Sequence, residues 1–165
     1  MRYTPAMHAR LEYSAANCSV AAALAIIGEK WTLSVLREAF FGLRRFDDMH
    51  QAIGCARNIL SDRLAKLVKH GLMERCAYQQ EGQRQRLEYR LTPKGVELFP
   101  TIVALMKWGD RWLAKDGKAP IEILHRDCRS PVHVELRCGD HAHGPLKAEE
   151  TYARPGSGAL RIKTT

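Results

Sequence analysis

The fold is decided by residues 43–94, LRRFDDMHQAIGCARNILSDRLAKLVKHGLMERCAYQQEGQRQRLEYRLTPK, which carry helix, turn and strand signals in a fixed order. Gly54 is free to adopt the positive φ that ends a first, short helix. A second helix is expected over residues 56–70, where Gly71 stops it. Two helices separated by a glycine turn are typical of a helix-turn-helix.

The second of these helices has two distinct faces. Apolar residues recur at helical spacing and are expected to face a core: Leu60, Leu64, Leu67 and Val68. Polar and charged residues occupy the other side: Arg57, Asn58, Ser61, Asp62, Lys66 and Lys69. An amphipathic helix in this position is the candidate recognition helix, which a helix-turn-helix places in a DNA major groove.

Two strands are expected next, over residues 72–79 and Arg86–Leu91. In the second strand Leu87, Tyr89 and Leu91 alternate with Arg86, Glu88 and Arg90, which predicts a sheet covered on one face. A polar, glycine-containing turn joins the strands, so residues 79–87 form a candidate wing. Thr92 followed by Pro93 is a strong start signal for a further helix.

These signals predict an α+β, mostly helical fold. A winged helix-turn-helix with a two-stranded wing is expected over residues 1–114. A small β-rich extension is expected over residues 115–165, ending in a loose tail from residue 149 because that stretch has no apolar pattern.

The candidate DNA contacts fall into two classes. Arg57 and Asn58 lie in the first turn of the recognition helix, where arginine would suit guanine and asparagine adenine, and Ser61 follows them. Four basic residues are better suited to phosphates, which carry no sequence information: Lys66, Lys69, Arg84 and Arg86. For Arg63 two interpretations stay open, a phosphate contact or an internal ion pair with an acid such as Asp47.

The net charge supports DNA as a partner. The chain carries a formal charge of +8, and residues 55–94 contain nine lysines and arginines against four acids. A basic face is often only a solvated surface, but here it coincides with the helix-turn-helix pattern.

Three segments carry a family resemblance: residues 18–50, CSVAAALAIIGEKWTLSVLREAFFGLRRFDDMH, then ILSDRLAKLVKHGLMER and YRLTPKG. Across residues 18–113 the chain resembles the HxlR-type family of bacterial winged-helix transcription regulators. The resemblance implies a homodimer that binds operator DNA. It also implies that a long C-terminal helix and the N-terminal segment form the dimer interface.

Residues 93–113 independently indicate a partner surface. Their apolar side chains cover nearly the whole circumference of a helix: Val96, Leu98, Phe99, Ile102, Val103, Leu105, Met106, Trp108, Trp112 and Leu113. One small domain cannot bury so much, although residues 20–27 would cover part of it. A two-fold dimer would place two recognition helices about 34 Å apart, as an inverted repeat requires. Pro100 predicts a kink in this helix.

Cys18 is a candidate redox site. It follows Asn17, a plausible N-cap, and the positive end of a helix favours the thiolate. Some members of the resembled family sense oxidants through a cysteine near this position. The alternative is a small buried core residue.

The extension contains a possible zinc ribbon. His125 and Cys128 form one pair, Cys138 and His141 a second, and the alternating VHVELR lies between them. Thiolate and imidazole ligands at this spacing suit zinc, which would stabilise a segment with little core. A metal-free β-hairpin is the alternative.

Other functions find less support in the sequence. No GxSxG, P-loop, HExxH or dinucleotide motif occurs, so an enzyme is not expected. A winged protein-interaction module without DNA binding remains an alternative. The five cysteines do not form a secreted disulfide pattern, and no apolar run reaches the ~18 residues of a membrane span. A cytoplasmic protein with no membrane partner is therefore expected.

Overall fold

The computed structural model describes residues 12–79, 85–140 and 144–162. Its elements are α1 (Ser19–Ile27), α2 (Lys30–Phe40), α3 (Phe46–Ile53), α4 (Arg57–Lys69), β1 (Met73–Tyr78), β2 (Arg86–Leu91), α5 (Pro93–Val96) and α6 (Phe99–Trp112). The predicted mostly helical α+β fold, with a helix-turn-helix and a two-stranded sheet, is confirmed. Among the described residues no single helix has the length and apolar character to cross a bilayer; α1 and α2 meet that test only together, across a 79° bend.

The turn between α3 and α4 has the predicted chemistry. Gly54 has φ 70° and ψ 20°, and its N–H donates to the carbonyl of His50. A side chain would be strained at this φ, which explains the glycine. The extended backbone of Ala56 then starts α4, within a residue of its predicted bounds.

The core is built around the inward face of α4. Leu60, Leu64 and Leu67 are fully buried, together with Leu36 of α2 and Met49 of α3. Full burial of one such side chain contributes about 1.5–3 kcal/mol, so this contact fixes the rotation of α4 about its axis. The opposite face of α4 is therefore held outward.

The wing strands pair in an antiparallel register that runs from Met73 opposite Leu91 to Tyr78 opposite Arg86. The predicted alternation of covered and open side chains is wrong at two positions. Leu87 is 56% exposed because it lies toward the wing tip, next to the last strand pair. Glu88 is only 8% exposed.

Glu88 can be buried because its charge is paired. Its carboxylate forms ion pairs with Arg90, on the same strand, and with Arg44, whose Nη1 is 4.0 Å away. Buried charges are tolerated when they are paired in this way. Side-chain alternation alone cannot reveal such partners.

The expected kink at Pro100 is not observed. The expected single helix is instead interrupted at residues 97–98, between α5 and α6, and Pro100 lies in the first turn of α6. Proline is tolerated there because its missing N–H would have no helical partner. Upstream, Gly95 is needed for packing, since a Cβ would lie 2.1 Å from the carbonyl oxygen of Leu72.

The chain forms two compact units, and their limits differ from the predicted boundary after residue 114. Residues 24–134 form one, here called the winged unit; the described parts of residues 1–23 and 135–165 form the other, the terminal unit. In the terminal unit the Ser14 N–H donates to the Leu160 carbonyl at 2.8 Å, and Tyr13 and Arg161 form an antiparallel bridge. The expected loose tail is thus hydrogen-bonded to the N-terminal segment.

The extension has little of the predicted β structure. In its described residues, the VHVELR segment belongs to no named strand, and an isolated bridge joins Leu124 to Pro131. Short 3-10 turns occur at Lys115–Gly117 and Ala148–Glu150. A segment with alternating side chains forms a β-ladder only when another strand pairs with it. The alternation in VHVELR therefore did not suffice to predict a strand.

Candidate nucleic-acid interface

The outward face of α4 begins with exposed polar side chains. Arg57, Asn58 and Ser61, the predicted base-reading residues, all lie in its first turns and are exposed. Lys69, a predicted phosphate contact, is exposed in its last turn. Both kinds of predicted contact are thus present on a surface that a nucleic acid could reach.

Arg57 is held by two residues of the preceding helix. Its Nη1 lies 2.9 Å from Oδ1 of Asp47, and its guanidinium carbon lies 4.7 Å from the centroid of the Phe46 ring. The Arg57 side chain is nevertheless 62% exposed. The guanidinium is therefore ordered by neighbours while much of it stays open to solvent.

Arg63 and Lys66 make a different set of contacts. Both form ion pairs with Glu29, which lies between α1 and α2, and the Lys66 Nζ is 2.7 Å from the Glu29 carboxylate. Their side chains are 20% and 26% exposed. Of the two interpretations of Arg63, the structure favours the internal ion pair, but the suggested partner Asp47 is wrong because that carboxylate contacts Arg57.

The Glu29 carboxylate is electrostatically stabilised in this arrangement. The hydrogen bond from Lys66 is the largest cause of a lowered pKa of Glu29; desolvation opposes it, and the positive charges of Arg63 and Lys66 lower the pKa further. The predicted role of Lys66 as a phosphate contact must compete with this ion pair. Lys66 is consequently a weaker candidate for DNA binding than Lys69.

The wing is only partly described. Residues 80–84, which include the predicted phosphate contact Arg84, lie outside the described residues. Arg86 is exposed at the first position of β2. At the same end of the sheet, the Arg45 guanidinium carbon lies 4.9 Å from the centroid of the Tyr78 ring. Of the two predicted wing arginines, the structure therefore places Arg86 at the surface.

The sequence did not reveal the two acids that form ion pairs with the basic residues of α4. Glu29 is 37 positions from its partner Lys66, and no local pattern connects the two. The sequence suggested Asp47 as a partner of Arg63, whereas its contact with Arg57 depends on how the two helices cross. Both partnerships are tertiary, so only a three-dimensional arrangement could identify them.

A second exposed surface is apolar. Leu105, Trp108 and Trp112 lie at helical spacing along α6, and each is more than half exposed, with Trp108 at 55%. On the other side of α6, Ile102 and Val103 are buried in the chain's own core. The expectation that one chain cannot cover this helix agrees with this arrangement.

Two of the four candidate zinc ligands lie close together in the described residues. His125 Nδ1 and Cys128 Sγ are 3.4 Å apart in a tight turn, and hydrogen bonds from Ser130 lower the pKa of the exposed Cys128 thiol. Cys138 belongs to the terminal unit, and His141 lies outside the described residues. No group of three or more potential ligands occurs within the described residues, so the zinc site stays a prediction.

Cys18 is half-buried immediately before α1. Its carbonyl accepts a hydrogen bond from the N–H of Ala22. Cys18 is therefore the N-cap residue of α1, although the sequence predicted Asn17 for that role. The Asn17 side-chain amide instead donates to the carbonyl of Gly158. The predicted proximity of Cys18 to a helix start is confirmed, with the cap shifted by one residue.

Comparison with protein-family models gives a match to the HxlR-like helix-turn-helix model over residues 26–117, more than half of the chain. The chain belongs to the HxlR-like helix-turn-helix family. It is a transcriptional regulator of the winged helix-turn-helix type. The match spans α2 to α6 together with the wing. These elements position the exposed side chains of Arg57, Asn58 and Ser61 at the start of α4.

Individual transcriptional regulators are also similar to this chain. An uncharacterised HTH-type transcriptional regulator of Mycobacterium tuberculosis is 42% identical over 140 residues, covering 85% of this chain and 87% of its own length. The crystal structure of PA1607, described as a candidate transcription factor, has a TM-score of 0.74 and 39% identity over 86% of this chain and 96% of that one. The oxidised form of the redox regulator HypR has a TM-score of 0.53 and 27% identity over 60% and 99% of the two chains.

Proposed function

We propose that this regulator binds double-stranded DNA as a homodimer at an inverted-repeat operator. In this proposal α4 enters the major groove and residues 79–87, the wing, contact the backbone. The observation that carries the proposal is the exposed first part of α4, where Arg57, Asn58 and Ser61 are open to solvent on a helix that Leu60, Leu64 and Leu67 lock into the core.

The chemistry of these side chains supports base recognition. An arginine can donate two hydrogen bonds to guanine O6 and N7, and an asparagine can bond the N6 and N7 edge of adenine. Arg57 and Asn58 are adjacent, so they would reach neighbouring positions of one half-site. Lys69, Arg84 and Arg86 are proposed as phosphate contacts, which add affinity without selectivity.

The apolar stripe of α6 supports a dimer. An exposed cluster with two tryptophans is unfavourable in water and is typical of a protein interface. A two-fold axis would bring equivalent stripes together, and it would also duplicate α4 at a spacing suited to successive major grooves. The dimer and the inverted repeat are consequences of the same symmetry.

Selection from a random pool of double-stranded DNA tests the proposal. We expect an enriched inverted repeat, with half-sites about 10 base pairs apart centre to centre. Sedimentation should give twice the mass of one chain, and Trp108→Glu should shift it toward the monomer and abolish the symmetric site. Absence of any enriched sequence, with affinity insensitive to salt, would instead support the protein-interaction module.

Thiol-based regulation through Cys18 is a second candidate. It is supported by the similarity to the redox regulator HypR and by the position of Cys18 directly before α1. Diamide should weaken DNA binding by the wild-type protein and leave Cys18→Ser unaffected. An equal response of the two proteins would exclude this role. Zinc dependence of the selection, tested with and without added metal, addresses the predicted ligands of the extension.

A further inference from the structure

Arg57 differs from an ordinary surface arginine because two neighbouring side chains constrain it. The Asp47 carboxylate contacts Nη1 at 2.9 Å, and the Phe46 ring lies 4.7 Å from the guanidinium carbon. Both residues come from the first turn of α3, whose Met49 is locked into the core. The contacts therefore originate from a fixed element of the fold.

These contacts contribute little to folding. The side chains of Arg57 and Asp47 are 62% and 76% exposed, and ion pairs with this exposure have small effects on stability. Their main effect is on the freedom of the arginine. An unconstrained arginine samples many rotamers, and recognition of a base must restrict them.

We propose that Asp47 is a positioning residue that directs Arg57 toward a base edge and away from the phosphates, and so determines selectivity at one base pair of each half-site. This inference rests on the proposed DNA-binding function and deepens it. Asp47 itself is not required to touch the DNA.

The donor geometry of arginine supports this role. The guanidinium has five N–H donors, and the contact with Asp47 occupies Nη1, so the remaining donors can face guanine O6 and N7. The Phe46 ring lies near the guanidinium and limits its rotation. The Arg57 guanidinium then presents N–H donors in a fixed orientation to the base edges in the groove.

The charge of Asp47 disfavours the competing contact. A carboxylate beside Arg57 offsets part of its attraction for phosphates and repels a phosphate that approaches closely. Removing the charge should therefore raise affinity for DNA of any sequence. At the same time it should lower the preference for the selected site, because Arg57 would be free to turn to the backbone.

Asp48 provides a matched control. It lies in the same first turn of α3, is exposed like Asp47, and has no ion-pair partner within the described part of the chain. Asp47→Asn and Asp48→Asn thus remove the same charge from the same helix end. The two variants differ in whether the contact with Arg57 is lost.

The experiment repeats the random-pool selection with wild type, Asp47→Asn, Asp48→Asn and Arg57→Ala, and compares base preference position by position. Arg57→Ala should lose the preference at one position by roughly 10- to 100-fold. We expect Asp47→Asn to reduce it at the same position by about 3- to 10-fold, while Asp48→Asn keeps the wild-type profile. Thermal unfolding should show the wild-type Tm for both asparagine variants.

The outcomes separate the inference from the proposed function. If wild type enriches no sequence, the DNA-binding proposal fails, and the role of Asp47 fails with it. If wild type enriches a site and Asp47→Asn has the same profile as Asp48→Asn, only the positioning role is overturned. A loss of preference at a position that Arg57→Ala leaves unchanged would also overturn it.

Discussion

α4 carries one arginine at its first residue and another at its midpoint, and the surroundings of the two side chains are opposite. At the N-terminal end Arg57 is 62% exposed and is held by a neighbouring surface acid. Two turns later Arg63 is 20% exposed and forms an ion pair with Glu29, near the start of α2. The same residue type, on the same helix, is thus a candidate reader of DNA at the N-terminal end and a link within the fold at the midpoint.

This difference follows from the position of each arginine along α4. The face defined by Leu60, Leu64 and Leu67 is buried, so side chains that flank it are close to neighbouring elements. Arg63 lies between Leu60 and Leu64 along the helix and flanks this face, whereas Arg57 is the first residue of α4 and precedes the buried part. A positive charge on a recognition helix is therefore not sufficient evidence of a DNA contact.

The largest expected effect is on DNA selectivity. Arg57→Ala should reduce discrimination between the selected site and a single-base variant by about 1–3 kcal/mol, because a bidentate base contact is lost. Fluorescence anisotropy with the two duplexes measures this difference. Since Arg57 is exposed, the Tm should stay at the wild-type value. Equal discrimination by the variant would show that Arg57 does not read a base pair.

Arg63→Ala should give the opposite pattern. Losing the ion pair with Glu29 should lower the Tm by roughly 5 °C, and the base preferences of the protein should stay unchanged. Lys69→Ala is the control, because Lys69 belongs to the same helix and is exposed. A variant at Arg63 with wild-type stability and altered base preference would reverse the proposed division of α4.

The sequence predicted what depends on short-range chemistry. Gly54, Gly71 and the pair Thr92 and Pro93 bound their elements where expected, because backbone conformation and capping are local properties. The inward face of α4 was also predicted, since helical spacing and burial share one period. These features include the whole helix-turn-helix and the strands of the wing.

What the sequence could not predict depends on partners far along the chain. Glu88 is paired with Arg44 as well as with its strand neighbour Arg90. Arg63 is paired with Glu29, and Arg57 with Asp47. Each pair is set by the way in which elements pack. For the same reason the tail was expected to be loose, although Leu160 is hydrogen-bonded to Ser14.

A smaller effect is expected at the C-terminal end of α4. Lys69→Ala should weaken binding to all duplexes to a similar extent, because a phosphate contact carries no sequence information. The slope of log affinity against log salt concentration should become shallower by about 1. Titrations at several salt concentrations measure it. An unchanged slope would exclude Lys69 from the contact surface and confine DNA binding to the N-terminal end of α4 and the wing.

The smallest expected effect is on the pH dependence of stability, through the ion pairs of Glu29 with Arg63 and Lys66. Because Lys66 and Arg63 lower the pKa of Glu29 in the folded protein, the folded state favours the carboxylate. The resulting stabilisation is fully present above the ordinary carboxyl pKa of 4.5 and is lost as the pH falls through the lower folded value. Glu29→Gln should therefore lower the Tm at pH 7 and have a smaller effect near pH 3. The control Glu97→Gln, at an exposed position, should leave the Tm unchanged at both pH values. A Tm difference for Glu29→Gln that is equal at both pH values would mean that the contact of Glu29 with Arg63 and Lys66 depends on shape and packing, and that charge does not distinguish Arg63 from the exposed Arg57.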